Sequence, residues 1–243
     1  MLNVMNLTKK YGKFVANDDL TFNVPAGKVS ILLGPNGAGK STAIKAIAGL
    51  LRFSGSITID GQDNKSTHAK RCLGYIPEAP SVYELLTIEE HMQFIARAYS
   101  LENGWEQRAD DLLNRFELDD KRKKFGKELS KGMHQKVSIC CALLPKPKLL
   151  LVDEPMVGLD PRAIKELKDV FLQERDDGAA LLISTHLLSS VEEMWDQALI
   201  LQNGKFAARR LRSEVERSGE SLEDLFFSIT EGARNSDEGA DDK

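Results

Sequence analysis

The chain carries only 3 cysteines in 243 residues. Cys72 stands alone and Cys140 and Cys141 are adjacent, so the cysteines form no metal-binding spacing, and any disulfide scheme leaves one thiol over. That usage fits a reducing compartment and predicts the cytoplasm. Long apolar runs are also missing. The longest stretch without Asp, Glu, Lys or Arg is Gly178 to Val191, 14 residues, whereas a membrane-spanning helix needs about 20 predominantly apolar ones. The opening MLNVMNLTKKYG lacks the charged start, apolar centre and small-residue cleavage site of a secretory signal. Basic excess is absent as well: 33 Lys and Arg against 37 Asp and Glu give a net charge of -4, which argues against a broad nucleic-acid footprint. No internal repeat is visible, so one copy of one domain is expected.

What is present is a sizeable apolar fraction, 42%, enough for one large domain or a domain with a subdomain. Short apolar runs at Lys28 to Leu33, Leu149 to Asp153, Ala179 to Ser184 and Ala198 to Gln202 read as strands buried on both faces. Helical patterns follow them at Lys40 to Leu50, Pro161 to Asp176 and Leu188 to Trp195. The alternation predicts an α/β core with a parallel sheet. Leu2 to Leu7, Leu20 to Val24 and Gly55 to Asp60 read as an antiparallel β layer beside it. Between Thr87 and Leu144 the strand signals fade and amphipathic helical patterns take over, as expected of an inserted helical subdomain. Thr87 and Glu90 make a capping box for its first helix. The main domain is expected over residues 1–220, the subdomain over about 87–144 and an extension over 221–243. From Glu231 onward the extension carries five acids and two bases with almost no apolar residue, which predicts disorder.

Between the first buried strand and its helix stands GPNGAGKST: Gly34, Pro35, Asn36, Gly37, Ala38, Gly39, Lys40, Ser41 and Thr42. Small residues let successive backbone N–H groups turn inward around an anion, and the helix start adds its positive end. Lys40 then supplies a charge for the β and γ phosphates of a nucleoside triphosphate, and the Ser41 hydroxyl a ligand for Mg²⁺. Further on, LLLVDEP ends an apolar strand in two acids. Alternation along an extended chain points them apart, which suits Asp153 to the Mg²⁺ shell and Glu154 to polarising an attacking water. His186 ends the next apolar strand, in LLISTH. A lone histidine is more often structural, but strand ends of such a sheet are where ligands gather, and there it can bond the γ-phosphate or the water.

Taken together, these motifs resemble those of the ATP-binding-cassette domains of ABC transporters, over roughly Met1 to Arg210. ELSKGMHQK resembles the family signature LSGGQ and puts Leu129, Ser130 and Gly132 on its positions. GLDP puts Asp160 on the aspartate of the loop after the acidic strand, and Tyr11 stands where the family has an aromatic that stacks on adenine. The resemblance implies a P-loop NTPase fold, MgATP hydrolysis and a head-to-tail pair of cassettes, in which Ser130 and Gly132 act on the ATP of a second subunit, identical or not. By itself, SKGM is equally a capped helix start, because Ser is a preferred N-cap. Lys131 and Met133 depart from the signature. Glu78, in GYIPEAP, stands where the family has a Gln that contacts Mg²⁺ and water, and a carboxylate accepts hydrogen bonds without donating. The segment after it, with Val82, Tyr83, Leu85 and Leu86, lies where the family receives a helix of its membrane permease subunits, against a plainer reading as subdomain packing.

The implied role is that of an ATPase subunit, peripheral at the cytoplasmic face of the membrane, with no nucleic-acid partner. GYIPE and LSKGM are similar to exporter-type cassettes. A soluble cassette ATPase in ribosome-linked, DNA-linked or iron–sulfur assembly work is the rival, and a small-molecule kinase would leave the signature unexplained. The basic run Lys121 to Lys124 has Glu117, Asp119, Asp120 and Glu128 around it and reads as a solvated loop.

Overall fold

Strands buried on both faces set the frame, and their continuous apolar runs are what a sheet covered on each side requires. The computed structural model describes residues 1–188, 191–219, 221–224 and 226–227. Its larger sheet contains β3 (Val29–Leu33), β6 (Leu73–Ile76), β7 (Leu149–Asp153), β8 (Ala180–Thr185), β9 (Gln197–Gln202) and β10 (Lys205–Leu211). The strand order is β10-β9-β3-β8-β7-β6, parallel throughout except for β10, which runs antiparallel along the edge of β9. A second, antiparallel sheet holds β1 (Leu2–Tyr11), β2 (Phe14–Val24), β4 (Ser54–Ile59) and β5 (Gln62–Asp63) in the order β2-β1-β4-β5. This is an α/β P-loop NTPase fold.

The parallel sheet divides two cores. Along β3, alternation sends Ile31 and Leu33 to one face and Leu32 to the other. Leu32 packs with Leu182, Leu199, helix α1 (Lys40–Ile47) and the apolar side of the antiparallel layer. Ile31 and Leu33 share the opposite core with α3 (Ile88–Ala98), α4 (Trp105–Arg115), α5 (Lys131–Leu143) and α6 (Pro161–Asp176). The two shorter helices are α2 (Thr67–Arg71) and α7 (Arg212–Ser218).

Several elements follow the sequence reading closely. β7 and α6 keep the expected bounds, and the capping box of α3 is formed: Glu90 N–H donates to Thr87 Oγ1 at 3.2 Å and Thr87 N–H to the Glu90 carboxylate at 2.7 Å. The 87–144 segment carries three α-helices, and Arg108 of α4 bonds Leu143 O of α5 within it and pairs with Glu174 of α6 outside it. Other expectations need correction. Helix α1 stops at Ile47 rather than Leu50, because Gly49 takes φ 76° and Leu50 N–H bonds back to Lys45 O. The helix expected over Leu188 to Trp195 is replaced, among the described residues, by turns: Val191 N–H reaches Leu188 O and Met194 N–H reaches Val191 O. Its apolar spacing still serves burial, with Val191, Met194 and Trp195 all inside. β1 and β2 run well past their apolar halves, and β6 and β10 were not anticipated. Of the basic run, expected as a solvated loop among Glu117, Asp119, Asp120 and Glu128, Lys121 pairs with Asp120, and Arg122 pairs with Asp119 and also with Asp110 of α4. The acidic stretch from Glu231 lies outside the described residues.

Candidate nucleotide site

The C-terminal ends of β3, β7 and β8 lie side by side, so the loops that follow them must converge. Register puts Leu33 opposite Thr185, and Asp153 opposite Ser184. Above these ends a cleft of about 500 Å³ is lined by Tyr11, Asn36, Gly37, Gly39, Lys40, Ser41, Thr42, Glu78, Glu154 and His186, with Phe14, Ala16 and Val157. Pro35 and Ala38 complete the loop, with Ala38 buried beneath it.

Two glycines are demanded by packing. A Cβ on Gly34 would come within 2.3 Å of Leu201 O, and one on Gly39 equally close to Ala16 O and 2.6 Å from Asn17 Nδ2. Gly39 is also the N-cap of α1 at φ 106°, with no side chain closing the helix start. The first amides of α1 therefore stay available to an anion.

Lys40 folds inward, its side chain only 6% exposed. Nζ donates to Gly34 O at 2.7 Å and Pro35 O at 3.2 Å and lies 3.8 Å from Glu154 Oε1. Burial pushes its pKa down, opposed by the charges of Glu154, Asp153 and Glu78. A polyanion laid against Nζ would relieve that burial cost.

Asp153 is fully buried at the end of β7. Its Oδ1 accepts from Ser41 Oγ at 2.9 Å and Ser184 Oγ at 2.6 Å, while Oδ2 has no partner. A carboxylate oxygen left alone inside a protein is costly unless something cationic meets it. Together with the adjacent Ser41 hydroxyl it forms an all-oxygen donor set that fits Mg²⁺. Glu154 sits at φ 47°, a left-handed backbone that a non-glycine residue adopts only under constraint, here the bond from its N–H to Ser184 O. The turn swings its carboxylate away from Asp153 to within 3.0 Å of His186 Nδ1. The two neighbouring acids thus occupy different environments.

Tyr11 and Phe14 are paired across the tip of the β1–β2 hairpin, 49% and 63% exposed, and form an aromatic edge to the cleft. Glu78 is exposed on the cleft wall. Ser130, Gly132 and Asp160 are not brought to this cleft. Ser130 caps α5 by accepting from Met133 N–H at 3.3 Å, and Gly132 packs against Gly158 O. Asp160 caps α6 through Ala163 N–H at 2.8 Å and pairs with the buried Lys136 at 3.0 Å. Both effects hold its carboxyl below the usual range.

Ser184, Asn17 and Phe14 join the site without belonging to any of its sequence motifs. Ser184 had a signal, since it lies near the end of an apolar strand two residues before His186, at the sheet end where ligands gather. Asn17, which holds Gly39 O through Nδ2 at 3.0 Å, had none.

A glycine loop between strand and helix, a buried lysine and an acidic strand end on a parallel sheet define a P-loop nucleotide-binding protein. The ABC transporter family model matches residues 17–157, and the chain belongs to that family as an ATP-binding protein. It is 38% identical over 240 residues to the ABC-type transporter ATP-binding protein EcsA of Bacillus subtilis (strain 168), covering 95% of this chain and 96% of that protein. Identity to the lantibiotic transport ATP-binding protein SrtF of Streptococcus pyogenes is also 38%, covering 93% and 96%. A solved ATP-binding subunit of an ABC transporter superposes with a TM-score of 0.90 at 39% identity, covering 95% of this chain and 99% of that one.

Proposed function

We propose that this chain hydrolyses MgATP and drives passage of a solute through separate membrane-spanning subunits, docked peripherally on their cytoplasmic side. The observation that carries the reading is the convergence of Lys40, Ser41, Glu154 and His186 on one strand-end cleft beside the aromatic edge of Tyr11, with Asp153 buried behind Ser41 and bonded to it. The β and γ phosphates take over Lys40 Nζ from the Gly34 and Pro35 carbonyls, and the open amides of α1 bind their oxygens. Ser41 and Asp153 hold Mg²⁺, with Glu78 on the facing wall. The cation, when bound, neutralises charge on the transferring phosphoryl group. Glu154 orients the attacking water and draws on its proton, and His186 Nδ1–H fixes that carboxylate. Tyr11 stacks on the base.

Ser130 and Gly132 face away from this cleft and complete the site of a second cassette, identical or different, in a head-to-tail pair that includes Asp160. A groove of about 470 Å³ lined by Leu50, Val82, Tyr83, Phe94 and other residues receives a helix of the permease. Tyr83 and Phe94 offer exposed aromatic surface there, while Leu85, expected beside them, does not line it. The name of the Streptococcus relative, lantibiotic transport, supports a transport role, and the GYIPE and LSKGM motifs support export. Affinity purification from detergent-solubilised membranes tests the reading. A polytopic partner retained with the chain is expected, and recovery only in soluble or ribosomal fractions would overturn it.

A further inference from the structure

At the opposite end of β7 from Asp153, one strand length or roughly 16 Å away, three unlike side chains meet. Asp60 follows β4, His68 lies on α2, and Cys72 caps α2 immediately before β6. His68 Nε2 lies 3.0 Å from Asp60 Oδ2, and Cys72 Sγ lies 3.7 Å from His68 Nε2 and 3.8 Å from Asp60 Oδ2. With metal bonds of about 2.1 Å to N and O and about 2.3 Å to S, a tetrahedral zinc ion holds N and O about 3.4 Å apart and S about 3.6 Å from each. The three atoms already stand within a few tenths of an ångström of that triangle. No nucleotide chemistry uses them, and the cysteine pattern of the sequence does not reveal them, because two of the three donors are not cysteines.

We propose that Asp60, His68 and Cys72 form a binding site for a borderline-to-soft divalent cation such as Zn²⁺, with a fourth position open to solvent. A thiolate, an imidazole and a carboxylate are the donors that select such an ion over Mg²⁺. The cluster has the access a metal needs: His68 and Asp60 are 52% and 33% exposed, while Cys72 backs the site from inside. Binding exchanges charges in a balanced way. The Cys72 thiol, raised by burial, gives its proton to solvent, and the Lys148 ammonium, 2.8 Å from Asp60 Oδ2 and largely exposed, swings out as the cation takes that oxygen. The ion would fasten the turn after β4 in the antiparallel layer to the start of β6, where Leu149 N–H already bonds Cys72 O.

The test is titration of the full, chelator-stripped chain with Co²⁺ in the absence of nucleotide, followed by Zn²⁺. One equivalent of Co²⁺ should develop a thiolate-to-cobalt charge-transfer band and intense four-coordinate d–d bands, both removed by Zn²⁺. The oxygen-lined phosphate loop cannot give the thiolate band. Cys72→Ser should abolish that band while Cys140→Ser and Cys141→Ser keep it. His68→Ala, at an exposed position that leaves the fold and ATP turnover intact, should weaken binding at least about tenfold. Lys148→Ala should tighten it roughly two- to fivefold by removing the competing ammonium. Zn²⁺ should raise the melting temperature of the natural chain and not that of His68→Ala. Absence of a thiolate band, its survival in Cys72→Ser, or unchanged Co²⁺ affinity in His68→Ala would each overturn the site.

Discussion

Helices α1 and α5 both begin with glycine, serine and lysine, yet one start faces a cleft ready for a polyanion and the other faces solvent. The difference lies in what caps them. Gly39 leaves the first amides of α1 without a side-chain partner, and tertiary structure brings Lys40, Glu154 and His186 to the same cleft, with Asp153 behind Ser41. Ser130 satisfies an amide of α5 itself, and its side chain does not line the cleft. The same three residue types therefore leave a helix start open to a phosphate where glycine is the cap and close it where serine is, and it is this second start that the proposed pairing assigns to the nucleotide of another cassette.

The largest expected effect that would break this contrast is at Glu154. Glu154→Gln keeps the shape and the His186 contact, so ATP binding and pairing of cassettes should persist while phosphate release falls by about 10²- to 10⁴-fold. Turnover at the normal rate would remove Glu154 from its assigned role. Lys40→Ala should weaken binding of a fluorescent ATP analogue by about ten- to a hundredfold, the loss of charge-assisted contacts worth ~1.5–3 kcal/mol. Ser130→Ala sharpens the comparison from the other side. Nucleotide affinity of the isolated chain should not move, turnover of the paired form should fall about tenfold, and loss of the cap should cost about 1 kcal/mol in denaturant unfolding. If Ser130→Ala weakened binding in the unpaired chain, α5 would have to contact its own nucleotide.

The smallest effect concerns the groove lined by Tyr83 and Phe94. His91 accepts from Tyr83 N–H at Nε2 (2.8 Å) and donates from Nδ1 to Thr87 O (2.7 Å), which holds the ring neutral and the groove rim on α3. Burial lowers its pKa below 6.5 against smaller opposing effects of Thr87 O and Glu90, and nearby His134 adds the least, a further lowering. As pH falls below 6.5 the unfolded chain takes up the proton before the folded one does. The stability contributed by neutral His91 is therefore present above pH 6.5 and is lost on acidification until the folded pKa is passed. Thermal unfolding of His91→Gln across that window should show a shallower acid decline than the natural chain.

Much of the core was legible because strands buried on both faces must be continuously apolar, and β7, α6 and the phosphate loop carry patterns that few other structures satisfy. β6 escaped notice because it is four residues with a glycine inside, and the reason for that glycine lies elsewhere in the chain: a Cβ on Gly74 would come within 2.6 Å of Ala142 O on α5. β10 escaped because an edge strand tolerates its arginines on the solvent side. The Leu188 to Trp195 segment misled because apolar residues three and four apart are buried equally well by successive turns as by a helix.

By itself the sequence determined that a nucleotide is gripped, since spacing of glycines, Lys40 and Ser41 around a strand-to-helix junction is local information. It also implied, through Asp153 and Glu154 in succession, that two acids have separate tasks. Only the tertiary structure decided that Ser184 joins Ser41 on Asp153, that the other oxygen of Asp153 is left without a partner, and that Glu78 faces the cleft while Ser130 does not. It likewise brought Asp60, His68 and Cys72 together. Such meetings depend on strand register and on how the two sheets pack, and these are set by burial summed over the whole chain.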